Sequence, residues 1–326
     1  MLRPRVFVCR PIAREALDLI AQATETEVWP EALPPSGDIL LEKCREVDGL
    51  LTLLTDRVDA ALIHASSRLR VISNMAVGYD NIDVPEATKR GIVVGITPGV
   101  LTETSADFAF ALLIAAARRV VEADRYTRQG SWKTWGPMVL LGQDVHHATL
   151  GIIGLGRIGT EMAKRARGFD MRVLYHNRQR RPDLERQTGA EYVELRELLS
   201  RSDFVSVHVP LSAETRHLMG AAEFSAMKPT SVLVNTSRGP VVDQKALYEA
   251  LKERKIFAAA IDVTETEPIP GDDPLLTLDN VIIAPHIASA SVPTRRKMAI
   301  MAAQNLLAGL RGEVPPNCVN PDALNR

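Results

Sequence analysis

One stretch limits the folds open to this chain: Thr149-Leu150-Gly151-Ile152-Ile153-Gly154-Leu155-Gly156-Arg157-Ile158-Gly159. An apolar run leads straight into Gly154-x-Gly156-x-x-Gly159, and a helical pattern follows. A strand that turns into a helix through glycines so spaced is the setting in which a dinucleotide is bound. The first glycine permits the tight turn. The second lets the backbone approach a pyrophosphate, and the third lets the helix pack closely on the strand. Amides at the helix start then face the anion. Glycine-rich turns also occur in other α/β proteins, methyltransferases among them. The fingerprint therefore predicts a dinucleotide against Gly154, Leu155, Gly156, Arg157, Ile158 and Gly159, with the preceding strand as its support.

The rest of the chain repeats the same grammar. Strand patterns fall at 5–9, 27–29, 49–54, 69–75 and 92–96, with helical patterns at 13–23, 39–46, 60–65 and 85–90. Regular alternation of this kind predicts a parallel sheet covered on both faces. Thr97-Pro98-Gly99 punctuates the chain, and Thr102-Glu103-Thr104-Ser105-Ala106-Asp107 opens a helix expected to run to about 128. Further strands are expected at 150–154, 171–176, 191–193, 204–209, 232–236, 258–263 and 281–284, with a clear helix at 244–254. A last helix at 294–310 would return the chain to its first part. At 326 residues the chain exceeds what one core serves. The expected fold is α/β with two Rossmann-like, doubly wound parallel-sheet domains. A discontinuous, flavodoxin-like substrate domain would comprise 1–99 and 288–326, and a dinucleotide-binding domain 100–287.

Composition excludes some partners. With 39 basic and 40 acidic residues the net charge is -1, which predicts neither nucleic acid nor an anionic membrane surface as a partner. The cysteines Cys9, Cys44 and Cys318 are sparse, odd in number and without metal spacing, as suits a reducing, cytoplasmic setting. The start, Met1-Leu2-Arg3-Pro4-Arg5-Val6, carries no long apolar segment, so no signal peptide is expected. The longest apolar helical run, 108–117, is too short to span a bilayer.

Which dinucleotide is read at the end of the second strand, where an acid about twenty residues past the first glycine would bind the ribose hydroxyls of NAD. The segment Leu174-Tyr175-His176-Asn177-Arg178-Gln179-Arg180-Arg181 has no acid there. Asp170 precedes the strand and Asp183 comes too late, while Arg178, Arg180 and Arg181 offer guanidinium groups to a 2′-phosphate. NADP(H) is expected to be preferred, with NAD(H) still possible. An ordinary solvated basic turn is the alternative.

Three later strand ends carry reactive residues. They are Asn235-Thr236-Ser237-Arg238-Gly239-Pro240, Asp262-Val263-Thr264-Glu265-Thr266-Glu267-Pro268 and Ala284-Pro285-His286-Ile287-Ala288-Ser289. Open α/β sheets bind ligands at this carboxyl edge. Reduction of a 2-oxo acid needs such a set. Arg238 can hold a carboxylate bidentately and polarise the carbonyl. His286 can donate a proton as hydride reaches the carbon. A carboxylate beside an imidazole fixes its tautomer and stabilises the imidazolium. Each residue alone has a plainer reading, as a surface ion pair, a solvated loop or a structural histidine. The recurrence of three such edges on one sheet outweighs these. The other histidines (His64, His146, His147, His176, His208 and His217) stand in no such company, and no metal site is expected.

These residues sit in a longer ordered set. It comprises Val77-Gly78-Tyr79-Asp80-Asn81-Ile82-Asp83, Thr102-Glu103-Thr104, the glycine fingerprint, His208-Val209-Pro210-Leu211, Asn235-Thr236-Ser237-Arg238-Gly239, Glu267-Pro268 and Pro285-His286-Ile287. In this the chain resembles the D-isomer-specific 2-hydroxyacid dehydrogenase family over nearly its whole length. The resemblance implies a catalytic triad of Arg238, Glu267 and His286, with Glu267 rather than Glu265 in the acid role because it directly precedes the proline. It further implies that the Val77 and Gly78 amides, with Leu53, contact the substrate, and that Thr104, Asn177, Val209, Pro210, Thr215, Thr236, Ser237, Asp262, His286 and Ser289 contact the cofactor. Asp262 would meet the nicotinamide amide.

Within that family the chain is most similar to the glyoxylate/hydroxypyruvate reductase branch, through Trp132-x-x-Trp135-x-Pro137 and the Asn-Arg ending of the second strand. The resemblance implies a homodimer in which Trp135 reaches the neighbouring subunit's pocket. The sequence departs from the pattern at His147-Ala148, where relatives carry Gly-Lys, and at Ala288, where glycine is frequent. The expected activity is NADPH-preferring reduction of small 2-oxo acids, glyoxylate to glycolate and hydroxypyruvate to D-glycerate. A reductase of bulkier 2-oxo acids is the alternative within the family. A dinucleotide-sensing corepressor or scaffold is the non-enzymatic one. A phosphoglycerate dehydrogenase with a regulatory extension is disfavoured by the ending at Arg326, and a formate dehydrogenase by Glu267 where that branch has glutamine.

Overall fold

The computed structural model describes residues 3–325. Met1-Leu2, part of the segment read for a leader, and Arg326 lie outside the described residues. The chain folds into two compact units, one running up to Leu101 and resuming at Ala290, the other spanning Thr102–Ser289. Each junction falls two residues later than the expected 99/100 and 287/288.

In chain order the first unit contains β1 (Arg5–Val8), α1 (Arg14–Ala23), β2 (Glu25–Val28), α2 (Gly37–Glu46), β3 (Gly49–Thr52), α3 (Ala60–Ala65), β4 (Val71–Asn74), α4 (Val84–Lys89) and β5 (Val93–Gly95). The second contains α5 (Thr102–Ala117), α6 (Val120–Arg128), β6 (Thr149–Ile153), α7 (Arg157–Ala166), β7 (Arg172–His176), α8 (Pro182–Thr188), β8 (Glu191–Tyr192), α9 (Leu195–Arg201), β9 (Phe204–Val207), α10 (Ala221–Ala226), β10 (Val232–Asn235), α11 (Gln244–Lys252), β11 (Ala258–Ile261) and β12 (Val281–Ile283). Helix α12 (Val292–Leu310) belongs to the first unit again.

The first unit is a five-stranded parallel sheet in the order β2-β1-β3-β4-β5, the doubly wound flavodoxin order. Its central strands β3 and β4 are buried along their whole length, apolar at Leu50, Leu51, Val71 and Ile72 and ending in the buried polar residues Thr52, Ser73 and Asn74. Helix α12 lies against this sheet: Ser73 Oγ donates to the Ala302 carbonyl at 2.7 Å and Asn305 Nδ2 to that of Ile96 at 2.8 Å. At the carboxyl edge, Asn74 and Asn81 pin the loop between β4 and α4. Asn74 Nδ2 donates to the Gly78 carbonyl, and Asn81 Nδ2 to those of Leu53 and Asp56, at 3.0, 3.1 and 2.8 Å.

The second unit is a seven-stranded parallel sheet in the order β12-β11-β10-β9-β6-β7-β8. The strand order reverses at β6 and β9, the switch point at which open α/β sheets bind ligands. One face packs on α5 and α7 through residues such as Phe110, Leu113 and Met162. The other packs on α9, α10 and α11 through Leu198, Phe224 and Leu247.

Two expectations need correction. The single helix expected over 102–128 is broken into α5 and α6. Arg119 adopts a left-handed φ of 52°, and the returning chain takes up the end of α5, with Gln143 donating to the Ala117 carbonyl at 2.8 Å. A side chain at Gly142 would overlap that same carbonyl, so only glycine lets the chain pass. The strands expected to reach 209, 236 and 263 end at Val207, Asn235 and Ile261. His208 and Asp262 still donate backbone amides to the neighbouring strands, at Ile153 and Asn235. Beyond them the apolar run continues while the ladder does not, and the residues turn into the loops that carry the site.

Candidate active site

The glycine loop at the switch point behaves as its spacing predicts. Gly154 has a φ of 101°, and a Cβ there would lie 2.8 Å from the His208 carbonyl carbon. A side chain at Gly159 would overlap the Gly154 carbonyl oxygen, so the third glycine is demanded by packing. Gly156, the N-cap of α7, differs: a Cβ there would meet nothing within 4 Å. The protein itself leaves that room open, in front of the first amides of α7 at Arg157 and Ile158. Asn177 braces the turn, its Oδ1 accepting the Leu155 amide at 2.6 Å. The site also holds a buried hydroxyl with no partner among the described residues, Thr236 Oγ1, just beyond β10. An open cradle at a helix N-terminus and an orphaned hydroxyl on the same carboxyl edge fit a dinucleotide.

The basic turn after β7 is only partly as expected. Arg180 makes a bidentate pair with Glu185 at 2.7 and 2.9 Å, and Arg181 pairs likewise with Asp183 at 3.0 and 2.7 Å. Asp183, set aside as too late in sequence, is thus brought back by α8. Two hydrogen bonds, from Arg180 and from the hydroxyl of Tyr175, hold the Glu185 carboxyl down to about 2. Arg178 is exposed and makes no side-chain hydrogen bond or ion pair among the described residues.

On the loops after β10, β11 and β12 the reactive residues are held by backbone. Asn235 organises the first loop, accepting from Ser237 N and Oγ at 3.0 and 2.8 Å and donating to the Arg238 carbonyl at 3.0 Å. The Arg238 guanidinium lies against the Ser237 carbonyl at 2.8 Å. Gly239 touches the next loop so closely that any side chain would overlap the Thr264 carbonyl. In that second loop Thr264 N–H donates to Glu267 Oε1 at 3.3 Å. The other carboxylate oxygen, Oε2, faces His286 Nδ1 at 2.7 Å, across 19 residues of sequence. His286 itself sits at a φ of 55°, a left-handed conformation that costs a non-glycine residue on the order of 1–3 kcal/mol.

Asp262 does something the sequence did not disclose. Its carboxylate is buried and accepts the backbone amides of Ile287 and Ala288 at 2.8 and 2.7 Å, while its carbonyl accepts the His286 amide at 2.9 Å. Burial raises its carboxyl above the ordinary value, against the lowering effect of those two amides. Alternating Asp-x-x-x-x-Glu spacing carries no signal for such a contact, because the partner amides are 25 and 26 residues away.

The remaining predicted residues are distributed as follows. Thr104 lies in the first turn of α5, and Val209 and Pro210 follow β9. Thr215 closes the next turn by donating to the Pro210 carbonyl at 2.6 Å. Ser289 follows the buried Ala288. Trp135 is 79% exposed. Leu53, Val77 and Gly78 lie on the carboxyl-edge loops of the first unit. One expectation about the histidines is overturned. His217 is not without company: its Nε2 lies 2.6 Å from Glu265 Oε1, and His64 Nε2 lies 2.9 Å from Glu86. Neither pair is visible in sequence, since 48 residues separate the first and the second joins two helices.

A doubly wound sheet with a dinucleotide cradle at its switch point and an acid-coupled imidazole on the same edge defines an oxidoreductase that uses a nicotinamide dinucleotide. Residues 110–288 match the model of the D-isomer specific 2-hydroxyacid dehydrogenase NAD-binding domain. A glyoxylate reductase from Korarchaeum cryptofilum is 58% identical over 324 residues, covering 99% of this chain and 98% of the relative. Among solved structures, a protein from Thermus thermophilus superposes with a TM-score of 0.91 at 45% identity, covering 97% of this chain and 99% of that one. An NADPH-dependent glyoxylate/hydroxypyruvate reductase from Sinorhizobium meliloti, solved with NADP and malonate, gives a TM-score of 0.85 at 35% identity, with 98% of both chains covered. The chain belongs to the D-isomer specific 2-hydroxyacid dehydrogenase family and is an NAD(P)-dependent oxidoreductase.

Proposed function

We propose that this enzyme reduces small 2-oxo acids, glyoxylate and hydroxypyruvate first, and prefers NADPH to NADH. The observation that carries the reading is the 2.7 Å contact of His286 Nδ1 with Glu267 Oε2. With Nδ1 committed to the carboxylate, Nε2 is the ring nitrogen left to give a proton to the substrate oxygen. Glu267 fixes the tautomer and the orientation of the ring. Arg238 anchors the substrate carboxylate with its planar fork and polarises the carbonyl. The Val77 and Gly78 amides, with Leu53, complete the recognition of the acid. Gly154 to Gly159, Asn177, Val209, Pro210, Thr215, Thr236, Ser237, Asp262, Ser289 and Thr104 hold the dinucleotide. That group, when bound, supplies the hydride. Similarity to glyoxylate reductases supports the substrate class, and the NADP complex of a relative supports the cofactor.

In this reading residues 1–99 with 288–326 form the substrate domain and 100–287 the dinucleotide domain. The protein works as a cytoplasmic homodimer in which Trp135, exposed in the single chain, enters the neighbour's pocket. Oxidation of NADPH and of NADH is to be followed with glyoxylate, hydroxypyruvate, pyruvate and a bulky 2-oxo acid. Fast turnover on the two small acids with NADPH is expected. Turnover confined to the bulky acid would replace the substrate assignment, and higher catalytic efficiency with NADH would replace the cofactor assignment.

A further inference from the structure

Arg238 and Glu267 lie on two different loops, and something must keep those loops in register. The structure shows a second histidine–carboxylate couple beside the first. His217, on the long loop between β9 and α10, donates its backbone amide to the Pro240 carbonyl at 2.8 Å, in the loop that carries Arg238. Its ring then reaches past that loop, and Nε2 meets Glu265 Oε1 at 2.6 Å, in the loop that carries Glu267. Asp243, the N-cap of α11, faces the other ring nitrogen at 4.0 Å. Glu265 is also tied to the start of α11, its amide donating to Gln244 Oε1 at 2.9 Å. The backbone of His217 adopts a φ of 53°, left-handed like that of His286. Both sides of one short segment, Thr264 to Glu267, are thus fastened by imidazoles. Glu265 goes to His217 on the β9 side and Glu267 to His286 on the β12 side.

We infer that His217 and Glu265 form a positioning pair that straps the Arg238 loop against the Glu267 loop, so that substrate anchor and acid partner keep one spacing. The inference rests on the roles proposed above for Arg238 and Glu267. Neither member of the pair is a catalytic residue. Both side chains are partly exposed, at 46% and 34%, so the pair contributes through geometry more than through stability. Loss of the strap lets Gly239 and Thr264 part at the point where they touch most closely. A displacement of that kind acts on substrate orientation and carbonyl polarisation together, and leaves the glycine cradle alone.

The test compares His217→Ala, His217→Gln, Glu265→Ala and the double variant H217A/E265A, using glyoxylate, NADPH fluorescence and thermal unfolding. H217A is expected to lower kcat/KM for the 2-oxo acid about 10- to 100-fold, with both a lower kcat and a higher KM, because small misplacements near the chemistry are that costly. The NADPH dissociation constant is expected to change several-fold less than kcat/KM, since the His217 ring faces Glu265 and the pair lies apart from the glycine loop, although Thr215 shares the His217 loop. H217Q, whose amide offers a donor to Glu265, is expected to recover most of the loss. The double variant should be no worse than about twofold below the poorer single variant, as for two residues acting as one unit. Wild-type values of kcat and KM in H217A would overturn the inference, as would losses that simply multiply in the double variant. Wild-type protein inactive on every small 2-oxo acid with either dinucleotide would overturn the underlying reading and this inference with it.

Discussion

The carboxylate of Asp262 holds the loop of His286 from beneath: the Asp262 carbonyl accepts the His286 amide at 2.9 Å, and the two carboxylate oxygens accept the next two amides. His286 is therefore placed by a residue at the end of a neighbouring strand, 24 positions earlier in the chain, and its own side chain is left for Glu267. Replacing Asp262 with asparagine turns one acceptor into a donor that faces an N–H. We expect Asp262→Asn to lose about 1–3 kcal/mol of stability, the cost of a buried polar group left unmatched. Turnover should fall as well, through a displaced His286. Denaturant midpoints and steady-state rates on the same preparations check this, and an unchanged midpoint would show that the loop holds without the carboxylate.

His286→Ala should reduce turnover on a 2-oxo acid by about 10²–10⁴, the range for loss of a general acid. Retention of more than about a tenth of the wild-type rate would remove His286 from the role. Arg238→Lys should also be impaired in KM and kcat, because an ammonium cannot reproduce the bidentate fork.

The three glycines of the cradle should separate by experiment. Gly159→Ala forces a methyl into the Gly154 carbonyl and is expected to cost about 1–3 kcal/mol of stability, as overpacking does. Gly156→Ala meets open space and should change the stability of the dinucleotide-free protein by less than about 0.5 kcal/mol. Its dinucleotide affinity should nevertheless drop severely, because the room it fills is the room the pyrophosphate needs. Tight binding by Gly156→Ala would place the pyrophosphate elsewhere.

Among the three arginines after β7, structure predicts unequal contributions. Arg178→Ala should shift the NADPH-to-NADH ratio of catalytic efficiency by about tenfold or more toward NADH, the equivalent of one charge-assisted hydrogen bond. Arg180→Ala should shift it far less, since Glu185 already holds that guanidinium on both nitrogens. Equal effects from the two variants would mean that the Arg180–Glu185 pair opens on cofactor binding.

His208, whose Nε2 lies 2.8 Å from Ser206 Oγ, has its pKa pushed by burial down from 6.5 to about 4. The unfolded chain therefore takes up this proton first. Stability linked to His208 is fully present above about pH 6.5 and is lost progressively as pH falls toward 4. A His208→Gln variant should show a flatter loss of stability across that window, measured as denaturant midpoints at several pH values. Parallel curves for the two proteins would show that another group governs the acid limb.

Much of this was legible in the sequence because it rests on local chemistry. Gly154, Gly156 and Gly159 announced a strand, a turn and a helix start by spacing alone; Gly154 and Gly159 then met a steric demand of the protein itself, while Gly156 faces open space. Short, mostly apolar runs marked buried parallel strands, because both faces of such strands are covered. Arg238, an acid cluster and His286 stood out because each follows a strand on the edge where loops gather, and the family resemblance singled out Glu267 within that cluster. The break at Arg119 was not legible. It depends on where the chain returns at Gly142 and Gln143, and a helical pattern carries no record of a distant segment that caps it. The capture of Arg181 by Asp183 and of Arg180 by Glu185 is by contrast local, two and five residues along the chain. His217 and Glu265 looked unrelated at 48 residues apart. Periodicity and spacing report how a residue relates to its near neighbours, and they determined the elements and their order. Which carboxylate meets which imidazole is settled only when strand order brings separate loops to one edge, so that pairing belongs to the tertiary structure.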